Sequence, residues 1–180
     1  CGGPPIYGGV PKPLQRLRNG ETLLEHYLHH SKSFLPDKVF LLVDDSYEKN
    51  YLLLLQQIKC KSIVDLHVCE NNSSTLGKMK SFLSCNYSLI SSVMFSYPDI
   101  FITGGLILPS PSDSRITDGV FISYVPVSSR FPRLAIDPYS ESVRGISNHT
   151  SQMPPNPLYV FGGHLFAKAV ILNSLLDIFL

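Results

Sequence analysis

The chain has 180 residues, of which 44% are apolar and only 16% charged, against about a quarter charged in an average soluble domain. That balance excludes disorder and fits one domain with a substantial core. Fifteen basic residues against 14 acidic ones leave a formal net charge of +1, and no basic run is present, which excludes a broad electrostatic grip on nucleic acid.

The longest leucine run, Leu52 to Leu55, is far shorter than the ~20 apolar residues that cross a bilayer, so no membrane span is expected. The four cysteines, Cys1, Cys60, Cys69 and Cys85, form no CxxC pair, which argues against a zinc site or a disulfide framework and for reduced thiols. No secretory signal is read at the N-terminus, so a cytoplasmic location is expected and the Asn148-His149-Thr150 triplet is read as a chance glycosylation match.

The first segment, Cys1-Gly2-Gly3-Pro4-Pro5-Ile6-Tyr7-Gly8-Gly9, carries four glycines in nine residues. Such a loop can bring bare peptide N–H groups against phosphate oxygens. Lys12, held between Pro11 and Pro13, would add a fixed positive charge. The competing reading is a plain Gly/Pro turn. The loop is neither a Walker loop nor a Gly-x-Gly-x-x-Gly turn.

Helical spacing of Leu23, Leu24, Tyr27 and Leu28 predicts a helix over Thr22 to His30, after the Asn19-Gly20 punctuation. His29-His30 at its end suits the helix dipole. Lys38 to Val43 reads as a strand buried on both faces, and Glu48 to Ile58 as a helix capped by Asp44-Asp45. A strand over Ser62 to Val68, a helix over Thr75 to Leu83 capped by Ser74 or Thr75, and a strand over Ser92 to Phe95 follow. This alternation predicts an α/β fold, a Rossmann-like mixed and mainly parallel sheet with flanking helices. Beyond the Gly104-Gly105 and Pro109 to Ser114 loop, the sequence turns β-like at Val120 to Val127, Arg133 to Ile136, Val143 to Ile146 and Leu158 to Phe161. A helix over Lys168 to Phe179 closes the chain. His149 and His164 have no carboxylate or cysteine at ligand spacing, so neither is read as a metal ligand.

The order of these features resembles the sugar-phosphate nucleotidyltransferases. Gly2-Gly3, Pro11-Lys12-Pro13-Leu14, Gly20 and Leu23-Leu24-Glu25 look like that family's opening segment. Ser74-Thr75-Leu76-Gly77 resembles its Gly-Thr-x-Gly turn, and Val93 to Ile100 its strand ending in a metal-binding Asp. Asp118 to Val127, Pro132 to Asp137, Val143 to Ile146 and Gly163-His164-Leu165-Phe166 follow the spacing of its sugar-binding half. The resemblance implies the nucleotide-diphospho-sugar transferase type of fold and a nucleotidyl transfer: an oxygen of a sugar 1-phosphate attacks the α-phosphorus of a nucleoside triphosphate, and pyrophosphate leaves. It further implies that Gly2, Gly3, Gly8, Gly9 and Gly77 bind the nucleotide, that Lys12 is catalytic, that Asp99 holds Mg²⁺, and that Gly163 binds the acceptor. The partners would be a nucleoside triphosphate and a phosphorylated small molecule; the sequence also allows a homo-oligomer.

Four features depart from the family pattern. Pro4-Pro5-Ile6-Tyr7 stands where an arginine is usual, no strand precedes Gly2, Ser147-Asn148-His149-Thr150 replaces a Glu-Lys-Pro segment, and a second metal-binding Asp would fall past Leu180. These make residues 1–180 one nucleotidyltransferase-like domain that is expected to be a piece of a longer one. Three other readings stand beside the first: a cytidylyl- or molybdopterin-guanylyl-type transferase, a non-catalytic nucleotide-sugar-binding regulatory protein, and a domain without a ligand.

Overall fold

The computed structural model describes residues 10–31, 37–57, 64–71, 73–98, 119–126, 133–137, 139–140, 142–147 and 158–179. A single 3₁₀ turn, Lys12–Leu14, leads into helix α1, Leu23–Ser31. The helix begins with a capping box: Glu25 N–H donates to Thr22 Oγ1 (3.1 Å), and Thr22 N–H donates to the Glu25 carboxylate (2.7 Å). These two bonds satisfy donors that the first helical turn leaves without partners. The Thr-x-x-Glu pattern stands in the sequence and is a stronger start signal than Asn19-Gly20.

Strand β1, Val39–Asp44, helix α2, Glu48–Gln57, and strand β2, Val64–Cys69, form a crossover unit in which β1 and β2 pair in parallel. Helix α2 buries Tyr51, Leu54 and Leu55, three positions on one helical face. Helix α3, Thr75–Asn86, is capped by Ser74, whose hydroxyl accepts the Gly77 N–H at 3.0 Å, as one of the two expected caps. Strands β3 (Ser92–Ser96), β4 (Val120–Pro126), β5 (Arg133–Ile136), β6 (Val143–Ser147) and β7 (Leu158–Lys168) make a second sheet, and helix α4, Ala169–Phe179, follows.

The mixed α/β class holds, but its parallel character is confined, among the described residues, to β1 and β2. The pairings β3/β7, β4/β7, β5/β7 and β5/β6 are all antiparallel. Strands β5 and β6 are joined by a tight turn closed by Asp137 N–H donating to Ser142 O at 2.9 Å, and a tight turn permits only an antiparallel neighbour. Strand β7 is longer than the Leu158 to Phe161 segment read from sequence. The Gly162-Gly163 pair looks like a strand end but is a bend within a continuing strand. Beyond it β7 pairs with β3; before it, with β5; β4 runs alongside both halves.

Two apolar clusters hold these elements. Leu24 and Leu28 of α1 share one with Val43 of β1, Tyr51, Leu54 and Leu55 of α2, and Val64 of β2. The other joins Met79, Phe82 and Leu83 of α3 to Phe95, Ala167, Ala169, Leu172 and Leu176, with Phe40 and Leu42 of β1 packed against it. The Phe82 ring lies 4.9 Å from that of Phe40 and 6.0 Å from that of Phe95, centroid to centroid, edge-on to the latter. Helix α3 is therefore seated on strands of both sheets. Among the described residues no helix is long and apolar enough to cross a membrane.

Leu83 is fully buried at the centre of this seat. Leu83→Ala is expected to cost about 2 to 5 kcal/mol through lost transfer energy and the cavity left behind, read as a lower urea midpoint with an unchanged slope.

Candidate functional site

Three of the residues implicated by sequence lie among the described ones: Lys12, Gly77 and Gly163. Lys12 opens the 3₁₀ turn, where Leu14 N–H donates to Pro11 O (2.9 Å) and Gln15 N–H to Lys12 O (3.1 Å). Both neighbouring prolines are buried, so the backbone carrying Lys12 has little freedom left. The chain then folds back on itself. Leu17 N–H donates to Glu21 O (2.7 Å), Leu23 N–H to Gln15 O (3.0 Å), and Gly20 takes φ +88° at the tip, a backbone region that glycine enters without strain. Leu14 packs into the cluster of α1 and β1. The lysine is thus anchored to the start of α1, half-buried, and partnered.

Gly77 sits in the first turn of α3. A Cβ there would lie 3.3 Å from Ser74 Oγ, so a side chain would crowd the cap. The next residue carries a feature the sequence reading missed. Lys78 is buried, and its Nζ lies 2.7 Å from Asp44 Oδ1 at the carboxyl end of β1, with both side chains more than nine-tenths buried. The contact is a close charge pair without a well-directed hydrogen bond. Asp44 therefore does not cap the helix that follows: a 3₁₀ turn, Asp45–Tyr47, intervenes and receives no side-chain cap bond. The reason is energetic. A buried ammonium needs a counter-charge far more than an exposed helix end needs a cap. Burial and the Asp44 charge together raise the Tyr51 phenol well above its ordinary value. A lysine beside Met79 and Phe82 on the apolar side of α3 was the available signal for a hidden carboxylate partner.

Gly163 takes φ +85° in β7, and its carbonyl accepts the Tyr97 N–H at 3.2 Å. Tyr97 immediately follows β3, so Gly163 is tied to the carboxyl end of that strand. Beside it, His164 is 3% exposed. Its Nδ1 lies 3.1 Å from Gly162 O; a carbonyl can only accept, so Nδ1 is the donor in this contact. Burial pulls the imidazole below its ordinary value of 6.5. Ser96, opposite His164 in the ladder, is hydrogen-bonded to Tyr27 of α1, and burial keeps the Tyr27 phenol above its ordinary 10.0.

Helix α1 thereby reaches the carboxyl ends of two strands, β1 through the cluster containing Val43 and β3 through Tyr27. Gly77 is tied to the first of these ends by Asp44 and Lys78. Gly163 is tied to the second by Tyr97. In open parallel α/β sheets the carboxyl ends of the strands are where ligands bind, and the end of β1 is such an end here, since β1 pairs in parallel with β2. Gly2, Gly3, Gly8, Gly9 and Asp99, which the resemblance assigns to phosphates and metal, lie outside the described residues, as does His149. Among the described residues no group of three or more His, Cys, Asp or Glu stands together to hold a metal ion. Cys69 is a buried free thiol and Cys85 an exposed one.

The mixed α/β fold occurs in solved structures. HddC from Yersinia pseudotuberculosis, complexed with GMP-PN, superposes with a TM-score of 0.66 and 16% identity, over 94% of this chain and 72% of that one. A second HddC structure from that organism gives 0.64 at 17% identity over 94% and 72%. The inositol-1-phosphate CTP transferase from T. maritima gives 0.61 at 17% identity, over 93% of this chain and 65% of that one. The chain has the fold of these proteins. No protein-family profile and no curated protein sequence matches it.

Two outcomes follow. Asp44→Ala, which strands the Lys78 ammonium, should cost about 3 to 5 kcal/mol, whereas Asp44→Leu combined with Lys78→Met should recover most of that loss; urea unfolding of the three proteins compares them. His164 binds a proton less readily folded than unfolded, so the unfolded state takes up more protons as the solution is acidified. Stability should fall as pH drops through 6.5, with the loss complete only below the depressed folded value. His164→Asn should flatten that slope in melting temperatures recorded between pH 8 and 5.

Proposed function

We propose that the chain is a nucleotidyl-transfer domain that joins a nucleoside triphosphate to a sugar 1-phosphate or similar phosphorylated small molecule and releases pyrophosphate. The observation that carries this is the fold shared along 93% of the chain with an inositol-1-phosphate CTP transferase, in the same chain that holds the ordered Gly-Gly, Pro-Lys-Pro-Leu and Gly163 motifs. The GMP-PN complex of the HddC neighbour, matched over 94% of this chain, supports a nucleotide as one substrate.

In this reading the loop N–H groups of Gly2, Gly3, Gly8 and Gly9 cradle the triphosphate. Lys12, rigidly mounted between buried prolines, stabilises charge that moves onto the leaving phosphates. Gly77 lets the base lie against backbone, and Gly163 lines the acceptor side. Asp99, two residues past Tyr97, would hold Mg²⁺, which when bound neutralises polyphosphate charge through hard oxygen ligands. Holding both substrates in line converts a bimolecular encounter into a step within one complex. Nucleoside triphosphates and sugar phosphates are cytoplasmic metabolites, which fits a cytoplasmic enzyme.

The test is pyrophosphate release from each of the four common nucleoside triphosphates, with a panel of hexose 1-phosphates and inositol 1-phosphate as acceptors. One triphosphate and one acceptor should stand out, with turnover dependent on Mg²⁺. Lys12→Ala should lower kcat by roughly a hundredfold, as loss of one transition-state charge contact does, and Asp99→Asn should abolish Mg²⁺-dependent release. Unchanged turnover in Asp99→Asn contradicts the metal assignment. Pro4-Pro5-Ile6-Tyr7, without an arginine at the triphosphate loop, favours one second reading, a regulatory protein that binds a nucleotide sugar. Tight binding of a nucleotide sugar with no pyrophosphate released from any pair would establish that reading instead.

A further inference from the structure

We propose that Ser123 and His164 are positioning residues that lock the bend of β7 at Gly162-Gly163 and thereby set the acceptor side of the site; the inference rests on the transferase reading. The bend is a defined irregularity. Ile122 pairs with Leu165 and Tyr124 with Phe161, so the single residue Ser123 stands opposite the three residues Gly162, Gly163 and His164. Bulges of this kind bend the strand that carries the extra residues and re-aim the groups beside them.

Ser123 fills the space that glycine leaves. A Cβ on Gly162 would lie 2.6 Å from Ser123 Oγ and 3.1 Å from both its Cβ and its carbonyl carbon, so no side chain fits there while the hydroxyl holds its place. That hydroxyl accepts the His164 N–H at 3.1 Å and lies 3.4 Å from His164 Nδ1. The ring turns back on its own strand and donates from Nδ1 to Gly162 O at 3.1 Å. Gly162 is therefore held from two sides, by the serine sterically and by the imidazole through its carbonyl. Gly163, left in between at φ +85°, accepts the Tyr97 N–H. The bend is fixed to β4 by Ser123 and to the end of β3 by Tyr97, two residues before Asp99.

An apolar pair would fill this part of the sheet without the desolvation cost of a buried imidazole and hydroxyl. What the polar pair supplies is a single geometry for Gly163 relative to the end of β3, where the acceptor must meet the triphosphate. Neither side chain needs to touch a substrate for this, and His164, at 3% exposure, is poorly placed to do so.

The experiment assays the wild-type chain first, in its full length, and takes the hexose or inositol 1-phosphate it turns over fastest. Ser123→Ala and His164→Leu are expected to raise KM for that phosphate about tenfold or more while KM for the triphosphate stays within about twofold. His164→Asn, whose amide can reproduce the Nδ1 donor, should restore most of the acceptor affinity, a rescue that packing alone does not predict. Equal effects on both substrates, no effect, or no rescue by Asn would overturn the proposal. Should the variants fail to unfold cooperatively, the wild-type protein answers alone: the Gly163 amide and His164 ring signals should shift on adding the acceptor phosphate, and a shift only with the triphosphate contradicts the assignment. A wild-type chain that turns over no acceptor sinks the transferase reading itself, and this inference with it.

Discussion

Helix α3 is the part on which the rest of the molecule depends. Its Phe82 ring touches Phe40 on one sheet and Phe95 on the other, and β1 and β3 belong to different sheets. The relative placement of these strands is thus set by an aromatic side chain between them as well as by the helix α1, which joins the Val43 cluster and bonds Ser96 through Tyr27. Aromatic burial and edge-on ring contact are strong, short-ranged terms. A small loss of packing at Phe82 would therefore be felt at both strand ends.

Polar contacts take over where the apolar ones stop. The centre of the domain is held by leucines and phenylalanines, but the carboxyl ends of β1 and β3 are held by Asp44 with Lys78 and by Tyr97 with Gly163. Such contacts are costly to bury and are geometrically demanding. Apolar packing accepts many near-equivalent arrangements, whereas a charge pair or a carbonyl held at a bend accepts few. Their concentration at the ends where a ligand would sit gives that edge a fixed shape on an otherwise hydrophobic scaffold.

Much of the fold was legible because it depends on local period and punctuation. Lys38 to Val43 and Arg133 to Ile136 declare themselves as short β-like runs, and Ser74 or Thr75 as a cap. Other features were hidden because they depend on partners distant in sequence. The antiparallel pairing of β3 with β7 joins residues about seventy positions apart, and no local pattern gives its direction. The segment read as β-like over Leu158 to Phe161 runs on as β7 to Lys168, because strands β3 and β4, distant in sequence, pair with it beyond the Gly162-Gly163 bend. Asp44 looked like a cap until its partner, 34 positions on, was placed beside it. Of the candidate site, motif order singled out Gly77 and Gly163, which lie in the first turn of α3 and within β7, while the partners of Lys78, Ser123 and His164 escaped because a buried polar residue is recognisable only by what surrounds it.

The central claim is that this chain holds a nucleoside triphosphate, and thermal unfolding against ATP, GTP, CTP and UTP, each with and without Mg²⁺, tests it most directly. Ligand at ~100 times its dissociation constant adds about 2.7 kcal/mol of stability. A rise in melting temperature with one of the four, greater when Mg²⁺ is present, is the predicted result and identifies the base. Cooperative unfolding at one temperature whichever triphosphate is added would contradict the claim.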